Sequence, residues 1–410
     1  MTVSKTAAAT SLLSAGAVRE RAHQILSLAD RLPNFRVDLG RLEAAAQLVI
    51  DVTNATYPSL DIPFHSRWRH FDIDGFDYWH ELDQAMAWPS PAERARSMFD
   101  LAIVSVLLDA GAGPNWRFCY PVSGEYVGRS EGLALASLTM FRDCAFSMWP
   151  SRPLRVDASI LMDFPEARLT QGFQVSRDNP LAGIGGRADL LRRLGRTVAA
   201  APGVFARNDT PRPGGLFDHL ASIAQTKRIS APTILSELLV HLGPIWPSRL
   251  TLGGTPLGDC WRYAGLRTGD ETDGLVPLHK LSQWLAYSLI EPLQQAGLTV
   301  TDIDGLTGLA EYRNGGLLID TGVLTLRDPD AARREHAVDS ELVVEWRALT
   351  VALLDRLADV MRQKLGKDRE TLPLARILQG GTWAAGRIIA SKLRAGGGPP
   401  LKVISDGTVF

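Results

Sequence analysis

The chain has 410 residues, of which 45% are apolar and 22% are charged, and its formal net charge is −1. A chain of this length can bury a large core. The balance of 44 basic and 45 acidic residues argues against a protein that binds nucleic acids or membrane surfaces through overall charge. We therefore expect a small-molecule substrate, with neither a nucleic-acid nor a membrane partner, and the sequence leaves the oligomeric state open.

The cysteines and the N-terminal segment indicate a cellular compartment. The chain has an odd number of cysteines at wide spacing, Cys119, Cys144 and Cys260. This pattern predicts neither a disulfide framework nor a Cys-x-x-Cys zinc site. The N-terminus lacks the sustained apolar core of a signal peptide, and no window approaches the roughly eighteen apolar residues of a membrane span. We predict a soluble, cytoplasmic protein.

Helical periodicity dominates the chain. Apolar spacing and capping residues predict helices over residues 11–28, 39–53, 90–110, 132–144, 179–201, 214–224, 231–242, 341–364 and 374–394. The predicted N-caps include Ser90, Ser230 and the pair Asp339-Ser340. A β-hairpin is predicted from residues 115–120 and 125–129, and a terminal strand or hairpin from 401–410. The predicted fold class is mainly α with short β-hairpins, as one α-rich catalytic unit over residues 1–410 or as two lobes with a cleft.

Another predicted helix, which starts near Pro277, has two contrasting faces. One face carries leucines at core spacing: Leu278, Leu281, Leu285, Leu289 and Leu293. The opposite face carries two charged and two aromatic residues: Lys280, Trp284, Tyr287 and Glu291. Large aromatic side chains are costly to expose, so the helix is either buried between two layers or lines a cleft with its second face.

Carboxylates cluster in the glycine-rich segment that follows this helix: Asp302, Asp304, Glu311 and Asp320. Asp302 and Asp304 are predicted to cap a helix start or to complement its dipole. Glu311 lies in the sequence AEYRNGG, where two interpretations remain open. It forms a structural ion pair with Arg313, or it is a general base in a pocket where Arg313 steadies an anion.

The segment HSRWRHF, residues 65–71, alternates basic and aromatic side chains. Arg67 and Arg69, with His65, are candidates to bind a phosphate, and Trp68 is a candidate to stack on a ring. The aromatic side chains of this turn equally suit a plug for the core. A third interpretation is a metal site made of three histidines: His65, His70 and His80. The segment lacks clear helical periodicity, which disfavours the metal site.

Long motifs spread over nearly the whole chain resemble one protein family. They include HSRWRHF, GRSEGLALAS, GFQVSRDNPL, RPGGLFD, GPIWPSRLTLGG, LVPLHKLSQWLAYSLIEPL, GLTGLAEYRNGGLLID, SELVVEWRALTVALLDRLA and LARILQGGTWAAGR. This family belongs to bacterial and fungal uracil catabolism and was long described only as a domain of unknown function. The resemblance implies a pathway in which uracil becomes UMP, the ring is opened and a ribosyl-urea species loses its urea.

A more distant resemblance is to the queuosine-nucleotide N-glycosylases of queuine salvage. It rests on a hairpin that runs into a helix, on the lysine-bearing helix LHKLSQWLA, on the turn DIDGLT and on Glu311-Tyr312-Arg313, where that family has Asp-Tyr-Arg. The resemblance implies a large helical domain related to helix-hairpin-helix glycosylases, with Lys280 and Glu311 on the family's lysine and catalytic carboxylate. Glu replaces Asp, and Asn-Gly-Gly replaces Val-Pro-Gln after the motif, so the substrate pocket must differ.

Together the resemblances imply a hydrolase that cleaves the N-glycosidic bond of a ring-opened uridine nucleotide, a ribosyl-urea 5′-phosphate, to urea and ribose phosphate. Glu311 is the expected catalytic carboxylate, and Lys280 is expected to orient it or to hold a sugar hydroxyl. The expected substrate-binding residues are Arg313, Tyr312, Trp284, Tyr287, His65, Arg67, Trp68 and Arg69. No metal or other cofactor is expected. Two alternatives are a metal-dependent amidohydrolase acting on the urea moiety and a non-catalytic protein that binds uracil metabolites.

Overall fold

The computed structural model describes residues 2–109, 111–113, 115–149, 151, 154–206, 210–246 and 249–404. Helices dominate these residues, and the strands among them form only two-stranded pairs. The prediction of a mainly α fold with short β elements is therefore confirmed. None of the helices in the described part of the chain combines the length and the apolar character that a lipid bilayer requires.

The elements are numbered in chain order. The helices are α1 Thr2–Leu12, α2 Ala15–Leu26, α3 Leu42–Thr56, α4 Tyr78–Gln84, α5 Pro91–Leu107, α6 Arg129–Arg142, α7 Ala158–Met162, α8 Glu166–Gly172, α9 Ile184–Ala200, α10 Pro202–Phe205, α11 Gly215–Ile223, α12 Ala231–His241, α13 Lys280–Gln295, α14 Tyr312–Asp320, α15 Glu341–Leu365, α16 Leu374–Ile377 and α17 Trp383–Leu393. The strands are β1 Phe35–Val37, β2 Asp72–Ile73, β3 Phe76–Asp77, β4 Arg117–Cys119, β5 Tyr126–Gly128, β6 Arg228–Ser230, β7 Thr251–Leu252, β8 Thr255–Pro256, β9 Cys260–Arg262, β10 Leu275–Pro277, β11 Thr299–Thr301, β12 Leu324–Leu326, β13 Glu335–Ala337 and β14 Lys402–Ile404.

The described chain forms two compact units. The first contains residues 2–65, 249–283 and 302–404, and the second contains residues 66–246 and 284–301, each with the gaps given above. Helix α13 starts in the first unit and continues in the second.

Helix α15 is the central element of the first unit. Ser340 caps its start as predicted, since the Ser340 hydroxyl accepts the Val343 N–H, and Gly366 ends it in the left-handed region with φ of 62°. The apolar residues Trp346, Leu349, Leu353 and Leu357 along α15 are buried. The helix packs against α2, α3 and α14, and burial of its apolar side chains stabilises this packing.

Helix α5 is the central element of the second unit. Ser90 is its predicted N-cap, with the hydroxyl accepting the Glu93 N–H at 3.1 Å, and Pro91 is the first helical residue. The helix is buried nearly all round and packs against α6, α9 and α11. The predicted hairpin is also present, as the antiparallel pair of β4 and β5.

Three predicted elements differ from the structure. The segment 11–28 is not one helix, because Ser14 accepts the Ala17 N–H and starts α2 after α1 has ended. The segment 374–394 is interrupted by a π-helical turn, Leu378–Thr382. Within the predicted terminal strand, Lys402–Ile404 forms β14 and pairs with β13, while residues 405–410 lie outside the described residues.

The π turn depends on a glycine that packs against α3. A Cβ atom at Gly381 would lie 2.4 Å from the Thr53 Oγ1 and 2.7 Å from the Val49 carbonyl oxygen. We expect Gly381→Ala to lower the free energy of unfolding by about 1–3 kcal/mol, measured by chemical denaturation. Gly243→Ala is the matched control, because no described atom lies within 4 Å of its added Cβ. Equal stability of the two variants would contradict this account of the turn.

Candidate active site

The start of α13 is fixed by Asp259, a buried residue of the first unit. Its Oδ2 accepts the Lys280 N–H at 2.9 Å, and its carbonyl oxygen accepts the N–H groups of Leu278 and His279 at 2.9 and 3.2 Å. His279 has φ of 44°, a left-handed conformation that turns the chain into the helix. Asp259 therefore determines the position of Lys280, the first residue of α13.

Arg347 on α15 joins Asp259 to the segment that carries Glu311. Its Nη1 and Nη2 each donate to one Asp259 carboxylate oxygen at 2.8 Å, and its Nε donates to the Ala310 carbonyl at 3.2 Å. Burial on its own would raise the pKa of Asp259, but the charge and hydrogen bonds of Arg347 hold that pKa well below its usual range. One guanidinium thus positions the backbone on both sides of the candidate site.

A second contact links the same two segments. The Gln283 Oε1 accepts the Thr307 N–H at 3.0 Å, and the Gln283 amide also donates to the Thr307 hydroxyl. Gln283 lies one turn along α13 from Lys280, and Thr307 lies in the DIDGLT turn before Glu311. The hydrogen bonds of the Gln283 side-chain amide therefore hold the start of α13 and the Glu311 segment together, in addition to the contacts of Arg347.

Glu311 is the N-cap of α14. Its Oε2 accepts the Arg313 N–H at 2.7 Å and its Oε1 accepts the Asn314 N–H at 2.6 Å. The predicted ion pair with Arg313 is absent among the described residues, since the Arg313 Nη1 donates to the Gly397 carbonyl at 2.8 Å. Both oxygens of the carboxylate are thus fixed by backbone at the positive end of a helix.

The surroundings of Glu311 combine burial with positive charge. Its residue surface is only 7% exposed. Burial raises the pKa of Glu311, while the Lys280 charge, the two N–H groups and the Arg313 charge oppose that rise. Lys280 is half-buried and close enough to Glu311 for their charges to interact. The structure therefore brings together the two residues predicted to be catalytic.

Polar atoms beside Glu311 are left without protein partners. The Arg313 Nε and the Asn314 Oδ1 are buried and have no hydrogen-bond partner among the described residues. The Arg313 guanidinium also lies over the Tyr312 ring, 4.9 Å from its centroid. Buried polar atoms in native proteins are nearly always satisfied, so this donor and this acceptor are available to water or to a ligand.

His65 lies in the first unit, and the charge of Lys280 acts on it as well. Its Nδ1 lies 3.0 Å from the Gln379 Oε1, which makes Nδ1 the protonated nitrogen of the neutral ring. Burial lowers the pKa of His65 to about 4; the Gln379 hydrogen bond opposes this shift and the Lys280 charge adds to it. Near neutral pH the ring is therefore uncharged.

The other carboxylates of the cluster have structural partners. Asp302 occupies the cap position of a short 3-10 turn, but its side chain makes no capping bond within the described chain. The Asp304 Oδ1 accepts the Leu374 N–H at 2.6 Å and pairs with Arg362 at 2.7 Å. Both residues therefore lie at a helix start as predicted, since Asp302 precedes the turn Ile303–Gly305 and Asp304 lies in it. Among the described residues, a capping hydrogen bond is made only by Asp304, and it goes to the first residue of α16.

The remaining predicted residues belong to the second unit. Arg67 is fully buried, where its Nη1 pairs with Asp109 at 2.8 Å and its Nε donates to the Ser105 hydroxyl at 2.7 Å. Its Nη2 has no partner in the described part of the chain. Arg69 pairs with Glu291 on α13 at 3.0 Å. Phosphate binding by Arg67 and Arg69 stays a prediction, and each guanidinium already has a carboxylate partner.

The aromatic residues predicted to surround the substrate are buried. Trp68 donates its indole N–H to the Ser288 carbonyl at 2.7 Å and packs on Trp79, with ring centroids 5.3 Å apart. Trp284 and Tyr287 are 4% and 0% exposed, so the aromatic part of the second face of α13 is buried, while Lys280 and Glu291 on the same face are half-buried. Their proposed contact with substrate stays a prediction.

The second unit also contains an aromatic cleft of about 550 Å³. Its described lining includes Tyr78 and Tyr120, whose rings meet edge to face at 4.6 Å, together with Arg142 and the exposed carboxylates Glu81 and Glu125. None of the predicted site residues is in that lining. The cleft can hold a planar ring, but its carboxylates lack the burial and the backbone hydrogen bonds that Glu311 has.

Sequence reasoning missed three residues of the site: Asp259, Arg347 and Gln379. Arg347 and Gln379 lie inside motifs that carried the family resemblance, SELVVEWRA and LARILQGGTWAAGR, and Gln379 falls on the π turn. Such turns inside helices are frequent at functional sites. Those motifs were the available signal, but helical periodicity alone does not single out either residue.

Comparison of the chain with known proteins identifies a family that it matches. A family model described as "Protein of unknown function (DUF1688)" matches residues 11–410. The chain is 38% identical to "Protein urg3" of Schizosaccharomyces pombe, over 97% of this chain and 98% of that protein. It is 35% identical to "Uracil catabolism protein 4" of Lachancea kluyveri, again over 97% and 98%.

The buried neutral state of His65 predicts a dependence of stability on pH. Between about pH 6.5 and pH 4 the unfolded chain binds a proton at this side chain and the native protein does not. The free energy of unfolding should therefore fall as the pH decreases through this window, by up to roughly 3 kcal/mol. Denaturant titrations at several pH values should show a shallower fall for His65→Gln and an unchanged one for His80→Gln, an exposed control. Parallel slopes for wild type and His65→Gln would rule the assignment out.

Proposed function

We propose, from the premise that the chain belongs to the DUF1688 family, that it is a hydrolase of uracil degradation. Its substrate would be a ring-opened uridine nucleotide, a ribosyl-urea 5′-phosphate. The name of the Lachancea kluyveri relative supports the pathway. The resemblance to queuosine-nucleotide N-glycosylases supports the reaction, and the helical fold is compatible with it.

The proposed reaction exchanges one bond at the anomeric carbon. The C1′–N bond breaks and its electron pair leaves with the urea nitrogen, which takes up a proton. The oxygen of a water molecule bonds to C1′ and that water gives up a proton, so the products are urea and ribose 5-phosphate. The transition state has oxocarbenium character, with positive charge spread over C1′ and the ring oxygen.

The fixed carboxylate of Glu311 is the observation that carries the proposal. A helix cap does not require glutamate, since Ser, Thr, Asp and Asn are the preferred N-cap residues. Here a longer side chain is buried and held by two backbone N–H groups. A preorganised anion of this kind stabilises a developing cation without having to reorient, and it can orient the attacking water.

Lys280, His65 and Arg313 have complementary roles in this proposal. The Lys280 charge opposes the rise that burial imposes on the pKa of Glu311, which favours the ionised carboxylate. His65, neutral at physiological pH, offers a polar contact without adding positive charge beside an oxocarbenium ion. The buried Nε of Arg313 is a donor for a sugar or phosphate oxygen.

The direct test is turnover of ribosyl-urea 5′-phosphate, with urea and ribose 5-phosphate quantified. We expect Glu311→Gln to reduce kcat by roughly 10²–10⁴-fold, because the amide keeps the shape of the side chain and removes its charge and basicity. Glu335→Gln is the control, since Glu335 is an exposed carboxylate of the same unit and should leave kcat unchanged. Absence of turnover by the wild-type protein would refute the proposed function. Full activity of Glu311→Gln would refute the role of Glu311.

The charge coupling of Lys280 and Glu311 makes a separate prediction for pH profiles. If ionised Glu311 is required, kcat/KM falls on the acid side as Glu311 becomes protonated. Lys280→Met removes a charge that lowers the pKa of Glu311, so the acid limb of the profile should move to higher pH. Lys392→Met, at an exposed position of α17, should leave the limb in place. A shift to lower pH, or none, in Lys280→Met would contradict the assignment.

A further inference from the structure

Three potential metal ligands from α11 and α12 meet in the second unit. His219 lies on α11, and Glu237 and His241 lie four residues apart on α12. Residues at this spacing project from the same face of a helix, one turn apart. The strand β6 and the Ser230 N-cap connect the two helices, so the three side chains come from one local supersecondary structure.

The donor atoms of these residues converge. The His219 Nε2 and the His241 Nε2 lie 2.7 and 3.1 Å from the same oxygen, the Glu237 Oε2. All three donor atoms lie within 4.8 Å of one another. Three atoms bound to one tetrahedral zinc ion at about 2.0–2.2 Å are about 3.3 Å apart, so small side-chain rotations suffice to place an ion between them.

The surroundings of these side chains leave an ion a way in. The two imidazole rings meet edge to face, with centroids 4.9 Å apart. The side chains are each 20–24% exposed, which gives an ion access from solvent.

We propose that His219, Glu237 and His241 bind a divalent zinc ion through the two Nε2 atoms and the Glu237 carboxylate. Two histidines and one glutamate are a ligand set that zinc uses in proteins, and three protein ligands leave the fourth position to water. The site uses none of the histidines of residues 65–80 that the sequence suggested for a metal. It ties α11 to α12 and does not depend on the proposed glycosidic reaction.

The test measures zinc itself. Protein purified with a histidine-free tag is stripped with chelator, equilibrated with Zn²⁺, freed of unbound metal and assayed for zinc by mass spectrometry. We expect one zinc ion per chain, and visible absorption bands of tetrahedral Co²⁺ when cobalt replaces zinc. His219→Ala and His241→Ala should each weaken zinc affinity by about 100-fold or more, because each removes a direct ligand.

Two further variants separate metal loss from misfolding. Glu237→Gln keeps the size of the side chain and should lose zinc while its circular dichroism spectrum stays that of the wild type. His80→Ala, an exposed histidine of the same unit, should bind zinc like the wild type. Substoichiometric zinc in the wild-type protein would overturn the proposal. Wild-type affinity in both His219→Ala and His241→Ala would overturn it as well.

Discussion

The buried ion pair of Arg347 and Asp259 positions the two segments that carry Lys280 and Glu311 in the first unit. Asp259 accepts the Lys280 N–H, and Arg347 donates to the carbonyl of the residue before Glu311. Loss of one partner from a buried pair leaves an uncompensated charge and costs about 3–5 kcal/mol, whereas an apolar pair of the same volume is often equally stable. The pair is therefore explained better by the geometry it imposes on Lys280 and Glu311 than by a gain in stability.

Opposing effects act on the charge of Glu311. Burial disfavours an ionised carboxylate, yet the proposed role in stabilising a cation requires one. The Lys280 charge, two N–H groups at the start of α14 and the Arg313 charge all favour the ionised form. Burial is the largest of these effects, so the pKa of Glu311 stays above its ordinary value. Perturbed pKa values of this kind cluster at functional sites.

The features that sequence predicted well are local ones. Ser90, Ser230 and Ser340 were identifiable as N-caps because the cap and its N–H partner are separated by only three residues. The contacts of Asp259 with Arg347 and of His65 with Gln379 join residues 88 and 314 positions apart, and no periodicity reports them. Glu311 was predicted to be catalytic through resemblance, but its position as a helix cap was missed because glutamate is unusual there. The π turn at Leu378–Thr382 was not predicted, because the apolar pattern of these residues is that of an ordinary α-helix.

The central claim is that the C1′–N bond, rather than a bond of the urea group, is broken. The most direct measurement is ¹³C NMR of the reaction with substrate labelled at both C1′ and the ureido carbon. The account predicts that the ureido label appears in free urea while the C1′ label appears, at the same rate, in the anomeric signals of ribose phosphate. Transfer of the ureido label to bicarbonate, with C1′ still bonded to nitrogen, would contradict it and identify an amidohydrolase.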